Sequence, residues 1–246
     1  MTLALEPGAL EPGLDSGAAT HAGAVRTRNE DSLVHRPDLG LWAVADGAGG
    51  HGAGDVASQA VAAALDAIPP GLAAAEILAQ VRLRLTAVHH ELQQRAAEAG
   101  PERVIATTVV VLLARHGHFA CLWAGDSRAY LLRGGTLQRI THDHSLVQEM
   151  VDQGALSEAE AESHPQANVI LRAIGAAGAL ELDKVSGRLA AGDRLMLCSD
   201  GLFKSLPEAE IAEMLTGGRD AAALVEAAVA RGARDNVSAI TVHARA

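Results

Sequence analysis

Short aspartate-containing motifs recur along this chain, each beside an apolar run that is typical of a β-strand. The motifs are Asn29-Glu30-Asp31, Asp46-Gly47-Ala48-Gly49-Gly50, Ser199-Asp200-Gly201 and Arg234-Asp235-Asn236. This pattern predicts a carboxylate cluster that the fold assembles from distant strand ends. Buried carboxylates repel one another, so such a cluster is stable only if protons or cations neutralise it. Because all-oxygen ligands favour hard ions, we expect Mg²⁺ or Mn²⁺.

The composition indicates one folded domain. The chain has 246 residues, of which 49% are hydrophobic, and no linker-like stretch divides it. We expect a flexible N-terminal leader over residues 1–20, which are rich in Gly, Pro and Ala, and a single domain over residues 21–246. A net charge of -10 without a dense Lys/Arg block argues against a nucleic-acid partner.

The sequence also favours a cytoplasmic location. The longest apolar stretch, Val104 to Ala114, is too short to span a membrane, and the segment Met1 to Pro7 lacks the basic start of a signal peptide. Both cysteines, Cys121 and Cys198, lie in apolar runs, where a small buried thiol is the common outcome. We therefore expect a cytoplasmic monomer with no membrane span.

The apolar periodicity predicts an α+β fold. Helices are predicted from about Asp55 to Ala67 and from Ala73 to Ala99, and glycine-containing turns between Val104 and Ile140 indicate antiparallel hairpins. A polar helical insertion at about residues 145–170, called the flap below, follows these hairpins. Strands that come in hairpins and helices that come in pairs favour α+β layers over a doubly wound sheet.

The Asp46-Gly47 pair is suited to metal binding. Both the carboxylate and the next carbonyl oxygen can face a cation when no Cβ blocks the approach. Taken alone, an Asp-Gly pair is more often ordinary turn chemistry. Its joint occurrence with Arg26, with Asp126 in a strand turn and with Asp235-Asn236 before the last strand favours a metal site.

In this order the motifs resemble the metal-dependent serine/threonine phosphatases of the protein phosphatase 2C type, the PPM family. The likeness runs from about Gly23 to Val242. It is carried by Arg26 to Asp31, Asp46 to His51, Gly125 to Tyr130, Asp143 to Val147, His164 to Gly175, Ser199 to Gly201 and Arg234 to Asn236. The resemblance implies a four-layer α-β-β-α sandwich, in which helix pairs flank two central antiparallel sheets.

The resemblance also implies roles for individual residues. Asp46 would bridge two metal ions, and the Gly47 carbonyl, Asp200 and Asp235 would complete the ligand set. Asp126 matches the position that, together with Asp200, helps to hold a weaker third ion in bacterial members. The remaining matches are Arg26, which would grip the substrate phosphate, and the outer-shell residues Glu30, Asp31 and Asn236.

The implied reaction is hydrolysis of phosphothreonine and phosphoserine in proteins by a metal-activated water, without a phosphoenzyme. Two divalent cations make a bridging water acidic, and an arginine supplies paired donors to phosphoryl oxygens. The implied partners are phosphorylated proteins and a Ser/Thr kinase that the enzyme opposes. The sequences Leu41 to Ala45 and Cys121 to Gly125 also resemble phosphatases that oppose a threonine kinase controlling type VI secretion.

The chain departs from the family at Ala48, where animal members carry a histidine proposed as general acid and bacterial members often methionine. The acid for the leaving group is therefore unassigned. His51 could replace it, although a histidine in a glycine loop is more often a local hydrogen-bonding residue. Adjacent residues of an extended segment point to opposite faces, so His142, Asp143 and His144 should not share one metal ion, and we expect them to have a structural role. We expect His89-His90, on the long helix, to be solvated.

Two other functions fit parts of the sequence. A regulatory protein could keep the fold and bind phosphoproteins without turnover, but it would have lost metal ligands, whereas every expected carboxylate is present. A hydrolase of small phosphate esters or nucleotides would use a similar two-metal site. Comparing the turnover of a phosphopeptide with that of a nucleotide separates this alternative from a protein phosphatase.

Overall fold

The computed structural model describes residues 13–48, 53–100 and 103–245. The strands are β1 (Leu14–His21), β2 (Asp31–Arg36), β3 (Leu41–Ala48), β4 (Ala106–Thr107), β5 (Val109–Arg115), β6 (His118–Ala124), β7 (Arg128–Arg133), β8 (Thr136–Arg139), β9 (Asp183–Arg188), β10 (Arg194–Cys198) and β11 (Val237–Ala244). The helices are α1 (Gly54–Asp66), α2 (Ala74–Ala99), α3 (Leu146–Asp152), α4 (Glu158–Glu162), α5 (Asp200–Phe203), α6 (Glu208–Thr216) and α7 (Ala221–Ala230).

The strands form two antiparallel sheets. One sheet has the order β1-β11-β10-β7-β8, and the other has the order β2-β3-β5-β6-β9, with β4 pairing beside β3. The turns of the β5-β6 and β7-β8 hairpins contain Gly117, Gly134 and Gly135, all with positive φ, a conformation that costs glycine little. The predicted α+β class and the antiparallel hairpins are therefore confirmed.

Strand β5 links two buried layers because successive side chains of a strand point to opposite faces. Val110 and Leu112 point towards the other sheet and pack in one cluster with Leu195 and Leu197 of β10. Val109, Val111 and Leu113 point the other way and pack against helices α1 and α2. A third cluster joins the outer face of the β10-β11 sheet to α6 and α7. Both sheets therefore have two buried faces in their centres.

The predicted leader over residues 1–20 is wrong for its last part. Residues Leu14–His21 form β1, which pairs along its whole length with β11, from Leu14 opposite Ala244 to His21 opposite Val237. This edge strand is only partly buried and is rich in Gly and Ala, so it has little apolar pattern of its own. Its partner lies at the other end of the chain, which local periodicity cannot reveal. Residues 1–12 lie outside the described part.

Other predicted elements agree with the structure, and one strand was not predicted. Helices α1 and α2 lie within about one residue of the predicted bounds, and α3 and α4 lie in the predicted flap. Strand β9 extends the second sheet beside β6 and alternates half-buried with exposed residues. Among the described residues, no helix is long and apolar enough to cross a membrane.

The packing between the sheets predicts a large cost for removing a central leucine. Leu112 is 0% exposed, whereas Leu83 on α2 is 64% exposed. We expect Leu112→Ala to lower the free energy of unfolding by about 2–5 kcal/mol because it leaves a cavity. The matched change Leu83→Ala should alter it by less than about 0.5 kcal/mol. Urea unfolding of both variants measures the difference, and similar losses would contradict this account of the core.

Candidate active site

Asp46 lies near the end of β3, where the backbone is fixed by two threonines. The Asp46 amide donates to Thr108 Oγ1 at 3.1 Å, and the Asp46 carbonyl accepts from Thr107 Oγ1 at 2.8 Å and from the Thr108 amide at 2.9 Å. Burial raises the pKa of Asp46 well above its ordinary value, and the charges of Asp31 and Asp200, then Asp126 and Asp235, raise it further. Four aspartates from separate segments therefore act on Asp46.

Asp31 lies directly opposite Asp46 in the β2-β3 pair. It is 8% exposed, and its Oδ2 accepts hydrogen bonds from Ser199 Oγ at 2.8 Å and Ser238 Oγ at 2.6 Å. Burial raises the pKa of Asp31 to about 7, although these two hydrogen bonds lower it, and the charges of Asp200 and Asp235 add to the rise. Its other oxygen, Oδ1, is buried and has no hydrogen-bond partner among the described residues.

Gly47 is required by the close approach of three chain segments. Its amide donates to the Glu30 carbonyl at 3.2 Å. A Cβ at this position would lie 2.2 Å from the Gly54 carbonyl oxygen and 2.6 Å from the Glu30 carbonyl oxygen, both of which are backbone atoms. The start of β2, the end of β3 and the start of α1 can meet here only without a side chain.

Asp200 and Asp126 approach the cluster from the other sheet and its loops. Asp200 is the first residue of α5, directly after β10, and Asp126 lies in the turn between β6 and β7. Asp126 is 5% exposed, and burial raises its pKa to about 7. The charge of Asp200 raises that pKa further, whereas the nearby ammonium of Lys204 lowers it.

Arg26 and Asp235 form an ion pair at the rim of the cluster. Arg26 Nη2 lies 2.8 Å from Asp235 Oδ2, and the two side chains are 56% and 45% exposed. The hydrogen bond and the charge of Asp235 raise the pKa of Arg26. Glu30 lies close by, and burial raises its pKa, followed by the charge of Asp55. The exposed guanidinium is therefore next to the carboxylates and accessible from solvent.

Asn236 ties the segment that carries Arg26 to the start of β11. Its Nδ2 donates to the carbonyls of Ala22 at 3.0 Å and Arg28 at 2.9 Å, and its Oδ1 accepts from the Glu30 amide at 2.8 Å. One amide side chain thus satisfies three backbone groups of an irregular loop. It fixes where Arg26 and Glu30 lie relative to Asp235.

The donor set fits hard divalent cations. It consists of carboxylate and carbonyl oxygens, and the raised pKa values of Asp31, Asp46 and Asp126 show that positive charge would be favourable among them. No three Asp, Glu, His or Cys side chains of the described residues already converge on one point as a ligand set. Asp200 is instead paired with Lys204, and Asp235 with Arg26. Small side-chain movements and water ligands would complete a site, as is usual for Mg²⁺.

The histidine clusters are not part of the carboxylate cluster, although His144 Nδ1 accepts from the amide of Gly125, next to Asp126. His142 pairs with Asp152, and Asp143 binds Arg128, so the expected structural role of this tripeptide agrees with its contacts. The predicted solvated position of His89 is wrong, because it is 1% exposed. Its Nδ1 accepts from the Gly175 amide and its Nε2 lies 3.0 Å from the Gly178 carbonyl, which fixes the chain after the flap. His51 lies outside the described residues.

Sequence reasoning missed Lys204 and the two serines that bind Asp31. Lys204 Nζ lies 2.5 Å from Asp200 Oδ2. A lysine four residues after an acidic residue in a helical stretch is a recognisable signal for such a pair. Ser199 and Ser238 had no signal of this kind, because they meet only when β10 and β11 pair in this register.

Comparisons with known proteins identify the class of protein that this fold and site define. A family model described as Protein phosphatase 2C matches residues 20–237. The serine/threonine phosphatase Stp of Listeria welshimeri is 35% identical over 234 residues, which covers 91% of this chain and 93% of that protein. The chain belongs to the protein phosphatase 2C family and is a metal-dependent serine/threonine protein phosphatase.

Solved structures agree with this assignment. PppA, described as a key regulatory component of T6SS in Pseudomonas aeruginosa, is 38% identical with a TM-score of 0.87, covering 95% of this chain and 99% of PppA. The catalytic domain of PstP in complex with two manganese ions is 35% identical with a TM-score of 0.80, covering 95% and 99% of the two chains. The family and the PstP complex support dependence on a divalent metal.

The raised carboxylate pKa values predict that the metal-free protein loses stability as the pH rises. The folded-state pKa of Asp31, about 7, lies above its ordinary value of 3.8, so the folded state favours the protonated form by about 4 kcal/mol. This contribution is complete below about pH 4 and disappears as the pH rises to about 7. Metal ions should restore stability mainly at pH 7 and above.

Thermal unfolding in EDTA and in Mn²⁺ at pH 5.5 and pH 8 measures this effect. We expect a larger stabilisation by Mn²⁺ at pH 8, and a smaller pH-dependent loss in EDTA for the variant Asp31→Asn. Equal stabilisation by Mn²⁺ at both pH values would contradict the assignment of these carboxylates to one cluster.

Proposed function

We propose that this chain dephosphorylates phosphothreonine and phosphoserine in proteins at a binuclear Mn²⁺ or Mg²⁺ centre. The ligands would be Asp46, the Gly47 carbonyl, Asp200 and Asp235. The observation that carries this proposal is that the charges of carboxylates from separate chain segments, Asp31, Asp200, Asp126 and Asp235, raise the pKa of the buried Asp46. The two manganese ions in the PstP complex support the same number of ions here.

Different groups would contact the substrate phosphate and the attacking water. When bound, the divalent ions supply Lewis-acid chemistry, making water acidic and neutralising phosphoryl charge. The exposed guanidinium of Arg26 would donate to phosphoryl oxygens, exchanging part of its contact with Asp235 for the substrate. Asp31 is held at Oδ2 by two serine hydroxyls, and its buried Oδ1 would accept a hydrogen bond from water once the ions and their waters are bound.

The proton for the leaving serine or threonine has no assigned donor among the described residues. Ala48 ends β3 where a histidine would stand in animal members, and it carries no titratable group. The role of His51 stays a prediction.

A protein substrate is favoured over nucleotides and small phosphate esters by the cavity beside the site. This cavity has a volume of about 1100 Å³ and lies between the flap and the segment from α5 to α6. Asp126 and Lys204 line it at the active-site end, and Glu158 and Glu162 of α4 line it on the flap side. It is large enough to take residues that flank the phosphorylated side chain.

Several finer features are proposed with this function. Packing of α1 and α2 on one sheet and of α6 and α7 on the other supports the four-layer α-β-β-α arrangement of one domain. The similarity to PppA, a regulatory component of T6SS, supports a role in type VI secretion, whereas opposition to a Ser/Thr kinase stays a prediction from the sequence. A cytoplasmic location and a monomeric state stay predictions from the sequence.

Loss of one ligand should abolish metal-dependent turnover. We expect Asp200→Asn to lower kcat/KM for a phosphothreonine peptide in Mn²⁺ by roughly 10²-fold or more, because a neutral amide binds the cation weakly and leaves charge uncompensated. EDTA should have the same effect on the wild type. The control Asp66→Asn changes an exposed carboxylate on α1 and should retain activity. Metal-independent release of phosphate by the wild type would contradict the proposal.

The flap should affect protein substrates more than small ones. Replacing residues 157–163 with a short Gly-Ser linker removes α4 and one wall of the cavity. We expect kcat/KM for a phosphopeptide to fall by roughly tenfold while that for a small aryl phosphate changes little, because only the peptide occupies the cavity. Equal losses for both substrates would show that the segment supports the site and not the choice of substrate.

A further inference from the structure

Lys204 contacts the carboxylate cluster and the flap at the same time. Its ammonium donates to Asp200 Oδ2 at 2.5 Å and to Asn168 Oδ1 at 2.8 Å. Asp200 and Lys204 are four residues apart, whereas Asn168 lies near the end of the flap. The ammonium is therefore fixed from two sides, by a candidate metal ligand and by a neutral acceptor from another segment.

The charge of Lys204 faces more than one carboxylate. The Lys204 side chain is 37% exposed, and its partial burial would lower the pKa of the ammonium. The charge of Asp200 and the hydrogen bond to it, then the charges of Asp126 and Asp46, instead raise that pKa above its ordinary value. In the opposite direction, Lys204 is the cation that lowers the pKa of Asp126. The ammonium thus compensates Asp126 and Asp200, the same two carboxylates that the family resemblance assigns to a third ion.

We propose that Lys204 is a built-in counter-cation that occupies the Asp126 and Asp200 side of the centre, so that this chain binds two divalent ions and excludes a third. The inference rests on the binuclear centre proposed above. Lys204 occupies Oδ2 of Asp200, so an ion of the binuclear centre would use Oδ1 of that carboxylate. A third ion between Asp126 and Asp200 would instead meet the ammonium and be repelled by it. To bind there, the ion would have to displace Lys204 and also break its contact with Asn168.

The residue type supports this role. The chain contains only two lysines, Lys184 and Lys204, and all its other Lys/Arg residues are arginine. An ammonium is a compact point charge with three donors, so one Lys204 side chain can donate to Asp200 and to Asn168 at the same time. Lys184 lies on β9 and is exposed, which makes it a matched control.

Counting bound ions tests the proposal directly. Equilibrium dialysis against Mn²⁺, followed by elemental analysis, should give two ions for the wild type and for Lys184→Met. For Lys204→Met it should give two ions and a third that binds more weakly. The Mn²⁺ concentration that fills this third site should be at least roughly tenfold lower than any concentration at which the wild type binds a third ion. Lys204→Arg, which keeps the positive charge, should retain a count of two.

The outcomes distinguish this inference from the function on which it rests. Three ions in the wild type, or two in both the wild type and Lys204→Met, would overturn the role of Lys204 while leaving the binuclear centre intact. Fewer than two ions in the wild type would overturn the binuclear centre and this inference together. Circular dichroism of each variant shows whether it is folded.

A second measurement needs no variant of Lys204. In protein labelled with ¹⁵N-lysine only two Nζ signals can appear, and Lys184→Met identifies the signal of Lys204. At saturating Mg²⁺, the Lys204 signal should persist because its ammonium still donates to Asp200 and Asn168. Broadening of that signal by solvent exchange as Mg²⁺ is added would show that an ion displaces the lysine, and would overturn the proposal.

Discussion

Repulsion among carboxylates that share one small volume is the constraint on which the rest of this structure depends. Burial and like charges together raise the pKa of Asp31 and Asp126 to about 7, so these carboxylates, when ionised, destabilise the metal-free folded state. Rigid packing has to hold these groups in place. The cluster between the sheets supplies that packing, because β3, β5, β10 and β11 all contribute side chains to it and three of the aspartates lie at or beside their ends.

The two sheets contribute different parts of the chemistry. Asp31 and Asp46 come from paired strands of one sheet, whereas Asp200, the first residue of α5, and Asp235, in a loop, flank β10 and β11 of the other sheet. Hydrogen bonds from Ser199 and Ser238 to Asp31 join the sheets at this point. Binding of divalent ions would therefore stabilise the correct assembly of both sheets, since the proposed ligands are divided between the two sheets.

Local signals in the sequence were sufficient for much of the fold and of the site. Helices α1 and α2 followed from apolar spacing, and the aspartates were recognisable because each stands next to a glycine, an asparagine or another acid at the end of an apolar run. Features that depend on distant pairing were not predictable in this way. Strand β1 has a weak pattern and finds its partner more than 200 residues away. His89 was taken as solvated, since nothing near it indicates the backbone groups of Gly175 and Gly178 that bind it.

Lys204 shows how a single side chain can set the balance between charge compensation by the protein and by ions. A cluster with this much negative charge needs cations, but each cation that the chain supplies itself reduces the field available to bind others. Arg26 is paired with Asp235 at the exposed rim, where the phosphate of the proposed substrate would compete with Asp235 for the guanidinium. Lys204 is instead attached to Asn168 of the flap as well as to Asp200. Its displacement would disturb the flap wall of the cavity, so the number of bound ions and the shape of the substrate site are linked through one ammonium.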